Sequence, residues 1–68
     1  MPERLSNRIK ERRGELGLTQ AELAERVGVT RKTVNTVENS VFTPSTILAL
    51  KLAEALDLNV EQLFWIQE

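Results

Sequence analysis

The 68-residue chain carries nine Lys plus Arg against ten Asp plus Glu, a net charge of −1, and contains neither His nor Cys. A chain of this size forms one domain with a small core, because small domains bury only about 60% of the surface their unfolded chains expose. The missing residue types exclude zinc sites built on Cys or His, disulfides, thiol nucleophiles and Ser-His-Asp hydrolysis. No apolar run approaches the roughly 20 residues that cross a bilayer, and no basic-then-apolar leader opens the chain, so a soluble, cytoplasmic protein without a membrane partner is expected.

The segment from Arg4 to Leu16 places Leu5, Ile9 and Leu16 on one helical face, with Arg8, Glu11 and Arg12 around the rest. This predicts an amphipathic first helix ending near Gly17. Thr19 followed three residues on by Glu22 is a capping box, opening a second helix from Gln20 to Val27, after which Gly28 supplies a left-handed stop. Thr30 caps a third helix through Val34, Val37 and Glu38, with Asn39-Ser40 as its end. Thr43 before Pro44 reads as a cap followed by a first-turn proline, opening a fourth helix. Its Ile47, Leu48, Leu50, Leu52, Ala53 and Leu56 are too many for one narrow stripe, which predicts a central helix packed on more than one side. Asp57-Leu58-Asn59 makes a turn, and Asn59 with Gln62 starts a short fifth helix through Val60, Leu63 and Phe64. The expected architecture is an all-α domain of five short helices.

The total charge hides an asymmetry. Residues 1–32 hold eight basic and five acidic side chains, a balance of +3, whereas residues 33–68 hold one basic and five acidic, a balance of −4. Such a split predicts a positive face on one half and a different task for the other. Residues 19–39 carry the informative constellation. Two helices joined by a tight turn need a small residue where they touch, a glycine in the turn and aliphatic residues inside; Ala24, Gly28 and the set Leu23, Val27, Val29, Val34 and Val37 fill those roles. That pattern is a helix-turn-helix, whose second helix offers its outer face to a major groove. Arg31, Lys32, Asn35 and Thr36 stand on this face. Arg and Lys pair with guanine, Asn pairs with adenine, and the Thr methyl touches thymine. Each of the four alone suits a solvated surface equally well; the ordered aliphatic frame beneath them is what favours DNA.

The chain resembles the Cro/cI-type (Xre family) helix-turn-helix regulators, the group that includes the lambdoid phage repressors. The likeness runs from Ile9-Lys10-Glu11 through Leu16-Gly17-Leu18-Thr19-Gln20 and Val37-Glu38-Asn39 to Pro44-Ser45 and Leu50-Lys51-Leu52-Ala53. It implies a five-helix, lambda-repressor-like DNA-binding domain. It implies further that Gln20 bonds a phosphate while helping to place Arg31, that Thr30 and Asn39 sit by the phosphate backbone, and that Arg31, Lys32 and Thr36 read bases, with Asn35 a fourth reader. Arg13 and Glu38 fall where the family commonly forms a partly buried ion pair, a scaffold rather than a readout. One departure is plain. Where the family often has Gly, a basic or polar residue and an aromatic, this chain has Ser40-Val41-Phe42. Ser40 takes a turn conformation less easily than Gly, Val41 supplies no phosphate contact, and Phe42 is expected to plug the core rather than wedge between bases.

The run Leu63-Phe64-Trp65-Ile66 is the most hydrophobic of the chain. Leu63 and Phe64 have the helical phase to complete the core, while Trp65 and Ile66 follow the predicted helix. The resemblance implies two-fold dimers, so Leu63, Trp65 and Ile66, within a dimerisation segment at 58–68, are the expected interface; the alternative is that Trp65 folds back on its own protomer. The whole chain, 1–68, is then one helix-turn-helix domain that binds double-stranded DNA as a homodimer, a transcriptional regulator repressing by occupancy of a pseudo-palindromic operator. The competing expectation is a protein-interaction module, such as an antitoxin, whose hydrophobic end binds a partner protein. No catalysis, cofactor, metal or small-molecule effector is implied: Asp57 is the sole Asp, and no nucleophile-base pair is apparent.

Overall fold

The computed structural model describes residues 3–67. In chain order they form β1 (Arg4–Asn7), α1 (Ile9–Leu16), α2 (Gln20–Val27), α3 (Arg31–Glu38), α4 (Thr46–Ala55), α5 (Val60–Leu63) and β2 (Phe64–Gln67). Glu68, counted above in the acidic half, lies outside the described residues.

Local chemistry sets most of these boundaries. Gly17 and Gly28 close α1 and α2 at φ 69° and 75°, where a Cβ is strained. After each, the next N–H reaches back into the helix, Leu18 to the Arg13 carbonyl at 2.9 Å and Val29 to the Ala24 carbonyl at 3.0 Å. Thr19 and Glu22 form the expected capping box: the Glu22 N–H donates to Thr19 Oγ1 at 3.0 Å and the Thr19 N–H to Glu22 Oε1 at 2.9 Å. Thr30 caps α3 by accepting the Thr33 N–H at 3.1 Å. At α5 the Asn59 N–H donates to Gln62 Oε1 at 2.8 Å.

Three expectations are corrected and a fourth is narrowed. The first helix does not begin at Arg4, because Arg4–Asn7 is a strand, antiparallel to β2 with Leu5 opposite Ile66 and Ser6 opposite Trp65. Asn7 then separates strand from helix by accepting the Ile9 N–H at 3.1 Å on its side chain, a local bond that competes with helix continuation. Leu16 is exposed, and Leu18, beyond the glycine turn, takes the core position instead. The cap of α4 is Ser45, whose Oγ accepts the Leu48 N–H at 3.1 Å, so Pro44 precedes the helix rather than opening it. Finally, α4 does pack against both α2 and α5, but its apolar set is not wholly covered. Leu48, Leu52 and Ala53 face the core, but Ile47 is 68% exposed and Leu50 is exposed beside it.

The core gathers Ile9 of α1, Leu23 and Val27 of α2, Val34 and Val37 of α3, Leu52 of α4, then Leu56, Leu63 and Phe64. α2 packs against both α3 and α4, and the face of α3 that carries Arg31, Lys32 and Asn35 meets solvent.

Candidate nucleic-acid interface

The inner face of α3 is fixed by Val34 and Val37, both buried. With 3.6 residues per turn, that leaves Arg31, Lys32 and Asn35 exposed and Thr36 half-buried at the margin. All four expected base readers therefore lie along one outward surface. The first turn of α3 holds two cations and no acidic residue. Cations at a helix N-terminus oppose the helix dipole and cost roughly 0.3–1 kcal/mol each. Such a break with the local rule is what a functional site is expected to show.

The other end of α3 is held by side chains from three directions. Arg13 of α1 grips Glu38 through two hydrogen bonds, one of them from Nη2 to Oε1 at 3.0 Å, and its Nη1 donates to the Leu18 carbonyl at 3.0 Å. The Glu38 side chain is only 4% exposed, so the pair is largely withdrawn from water. The Glu38 hydrogen bond raises the Arg13 pKa above its ordinary value against the opposing effect of burial. Gln20, at the start of α2, donates from Nε2 to Glu38 Oε1 at 3.1 Å. Asn7 donates from Nδ2 to the Val37 carbonyl at 2.9 Å. The ion pair was expected, whereas Asn7 was not singled out in the sequence. Its only signal there is an Asn two residues before the first apolar helical position. Arg12 was also missed; its Nε donates to the Leu56 carbonyl at 2.8 Å and so ties α1 to the end of α4.

The expected phosphate residues are distributed around this frame. Gln20 shares a shallow concavity with Arg31, Lys32 and Asn35. Thr30 caps α3 and shares a hydrogen bond with the Thr33 hydroxyl at 3.0 Å. Asn39 donates from Nδ2 to Asn35 Oδ1 at 3.3 Å, which couples an expected phosphate contact to an expected base reader. The Thr36 hydroxyl donates to the Thr33 carbonyl at 2.9 Å, so its proton is used within the helix.

Phe42 does not plug the core. It is 49% exposed and Val41 is 78% exposed. Ser40 adopts the left-handed conformation at φ 58°, and the chain then folds back so that the N–H groups of Val41 and Phe42 both donate to the Thr36 carbonyl, at 2.9 and 3.1 Å.

The three residues expected at a dimer contact separate. Leu63 is fully buried within its own protomer, which removes it from any surface, while Trp65 and Ile66 are exposed. Neighbouring residues of a strand point to opposite faces, so Trp65 and Ile66 cannot share one flat contact. Trp65 also carries a cation of its own chain, with the Arg8 guanidinium 5.2 Å from the ring centroid.

Among the described residues, no cluster of three or more His, Cys, Asp or Glu could hold a metal, and no helix is long and apolar enough to cross a membrane.

A family model described as helix-turn-helix matches residues 9–63. An uncharacterized HTH-type transcriptional regulator of Bacillus subtilis, YgzD, is 42% identical over 64 residues, covering 94% of this chain and 97% of that protein. A second such regulator, from Methanothermobacter thermautotrophicus, is 52% identical over 61 residues, 88% of each chain. Among solved structures, the P22 c2 repressor in complex with a synthetic operator superposes with a TM-score of 0.77 at 33% identity, covering 79% of this chain and 82% of that one.

Proposed function

The chain belongs to the Cro/cI-type (Xre) helix-turn-helix family of DNA-binding transcriptional regulators, and we propose that it represses transcription by occupying a pseudo-palindromic operator as a homodimer, with α3 in the major groove. The observation that carries this is the outward surface of Arg31, Lys32, Asn35 and Thr36 on a helix whose far end is anchored by Arg13, Glu38 and Gln20. Arg31 and Lys32 read guanine edges, Asn35 an adenine edge, and Thr36 a thymine methyl. Gln20, Thr30 and Asn39 bind phosphates. The Gln20 amide group that donates to Glu38 carries a second hydrogen for a phosphate oxygen, which would link the backbone contact to the position of the reading helix.

Residues 1–68 act as one DNA-binding unit in the cytoplasm, with the helix-turn-helix at 19–39 and self-association through the 58–68 segment. Leu63 supports the segment from inside, and one face of the strand pair, carrying either Trp65 or Ile66, meets its twin. Pairing two protomers would bring about 8–10 phosphates into contact and give a steep loss of affinity with salt. The exposed Ile66 and the bare Ile47–Leu50 face also suit a heterologous protein partner, which is the competing proposal. Sedimentation at micromolar concentration separates them: a dimer that Trp65→Ala or Ile66→Ala dissociates is expected, and a monomer unaffected by either change overturns self-association at this segment.

Selection of binding sites from random duplex DNA tests the main proposal. A pseudo-palindrome with half-sites about one helical turn apart is expected. In the Arg31→Ala, Lys32→Ala double variant, discrimination at specific bases should fall by about 1–3 kcal/mol per lost contact. An unchanged preference overturns the assigned readers, and no enriched sequence overturns the repressor.

A further inference from the structure

The outward surface of α3 has two flanks of different chemistry. On one, Lys32 lies in a concavity with Gln20, Arg31 and Asn35; on the other, Lys32, Thr33 and Thr36 line a second concavity with Val41 and Phe42. Lys32 borders both, so the apolar flank continues the DNA-facing surface rather than forming a separate patch. A loop beside a phosphate backbone is ordinarily polar. Here the exposed residues that follow the Ser40 turn are Val and Phe, and they are not loose: the left-handed Ser40 and the paired hydrogen bonds to the Thr36 carbonyl hold them against the reading helix.

We propose that Val41 and Phe42 are specificity-determining residues that accept the C5-methyl groups of thymines in each half-site, within the pocket they form with Thr36. This rests on the reading that α3 enters the major groove. Thymine is the one base that presents an apolar group there. An apolar shelf on a rigid turn gains by covering that methyl and gains nothing from a phosphate. The covered half of Phe42 and the bond from its backbone N–H to α3 favour covering a methyl over insertion between base steps. Val41, at 78% exposed, has the greater area to lose and therefore makes the larger contribution.

The test uses the full chain and the duplex obtained by selection, with each thymine replaced in turn by deoxyuridine, which removes the methyl and keeps base pairing. For the wild type, replacement at one or two positions per half-site should weaken binding about fourfold per methyl. Val41→Ser with Phe42→Ser should abolish that sensitivity at those positions, while Arg31→Ala keeps it. Both loop residues are exposed, and matching thermal midpoints establish that the variant folds. Thr36→Ser, which removes only the threonine methyl, serves as the internal comparison. Sensitivity lost in Thr36→Ser but kept in the loop variant overturns the proposal, as does a wild type indifferent to uracil throughout. A chain that selects no duplex overturns the DNA reading and this proposal together, whereas selection with unaltered uracil sensitivity in the loop variant overturns this one alone.

Discussion

Between Gln20 and Glu38 polar groups are arranged on both sides of the backbone: Arg31, Lys32 and Asn35 stand in water, while Glu38 is withdrawn from it and satisfied by Arg13 and Gln20. From α4 onward the pattern reverses, with the interior fully apolar and Ile47, Leu50, Trp65 and Ile66 left in solvent. The first region has fixed the position of a surface at the expense of burying charge. The second has more apolar surface than one small core can cover. The two therefore fail differently when altered: the first by leaving a charge unpaired, the second by losing packing or self-association.

The largest effect is expected at Glu38. Glu38→Ala leaves the Arg13 guanidinium and the Gln20 amide without their acceptor, a loss of about 3–5 kcal/mol for a buried pair broken on one side. Set against the roughly 5–15 kcal/mol that holds small domains together, this brings the chain close to unfolding at ambient temperature. Urea denaturation followed by circular dichroism measures it. Arg13→Met combined with Glu38→Leu should recover most of the stability, because an apolar pair needs no desolvation of charge. If the single variant loses less than about 1 kcal/mol, the pair is solvated and the contrast between the two regions collapses.

The second region is tested by unequal neighbours. Leu63→Ala should cost about 2–5 kcal/mol at any protein concentration, since it opens a cavity in the core. Ile66→Ala, three residues on, should cost little in dilute solution and lower the thermal midpoint only at concentrations where the protein self-associates. Equal, concentration-independent losses at both positions would place Ile66 in the protomer's own packing and end its candidacy as an interface residue.

How much of this was legible in the sequence follows from the range of each signal. The bounds of α2 and α3 came from Thr19, Glu22, Gly28 and Thr30, whose effects act within one helical turn, and the outward set on α3 followed from its period. The strand pair was not legible, because Arg4–Asn7 becomes a strand only through residues 64–67, some sixty positions away, and Leu5 happens to fall in helical phase with Ile9. Leu16 misled for a local reason: its phase was right, yet the chain turns at Gly17 and delivers Leu18 to the core instead. Of the site, residue types and spacing gave the outward set Arg31, Lys32, Asn35 and Thr36, and the family resemblance gave the Arg13–Glu38 ion pair. Asn7 was missed because its partner, the Val37 carbonyl, is a backbone atom that leaves no mark in sequence. The exposure of Phe42 was missed because it depends on how the chain folds back on Thr36.

A smaller effect separates the two regions by pH. Glu22 is exposed, and its carboxylate is held below its ordinary pKa of 4.5, first by the Thr19 backbone N–H and then by the Thr19 hydroxyl. A depressed pKa in the folded state means that this contribution is complete above the ordinary value and is lost as pH falls through the folded one. Thr19→Ala, which removes the cap, should cost about 1 kcal/mol near neutral pH. Glu22→Gln should cost less, and its difference from the wild type should shrink on acidification below 4.5. A difference that stays constant down to pH 3 would show that charge has no part in the cap.

The smallest effect compares one backbone conformation at the turn that follows the first region and at a turn within the second. Among the described residues, Ser40 and Asp57 are the two non-glycine residues with positive φ, at 58° and 55°. Left-handed backbone costs an L-residue roughly 1–2 kcal/mol, and Asp is tolerated there better than most because its side chain bonds locally. Glycine removes the strain but loses about 0.5–1 kcal/mol to the greater freedom of the unfolded chain. Ser40→Gly should therefore stabilise the fold by up to about 1 kcal/mol, and Asp57→Gly by less. Differential scanning calorimetry of the two variants gives the order. In DNA binding they should part: Asp57 lies in the turn between α4 and α5, whereas a freer residue 40 loosens the seat of Val41 and Phe42 beside Thr36. Ser40→Gly should thus raise the thermal midpoint while reducing discrimination between thymine and uracil. A variant that gains stability and keeps that discrimination would mean that the hydrogen bonds to the Thr36 carbonyl alone suffice to hold the turn.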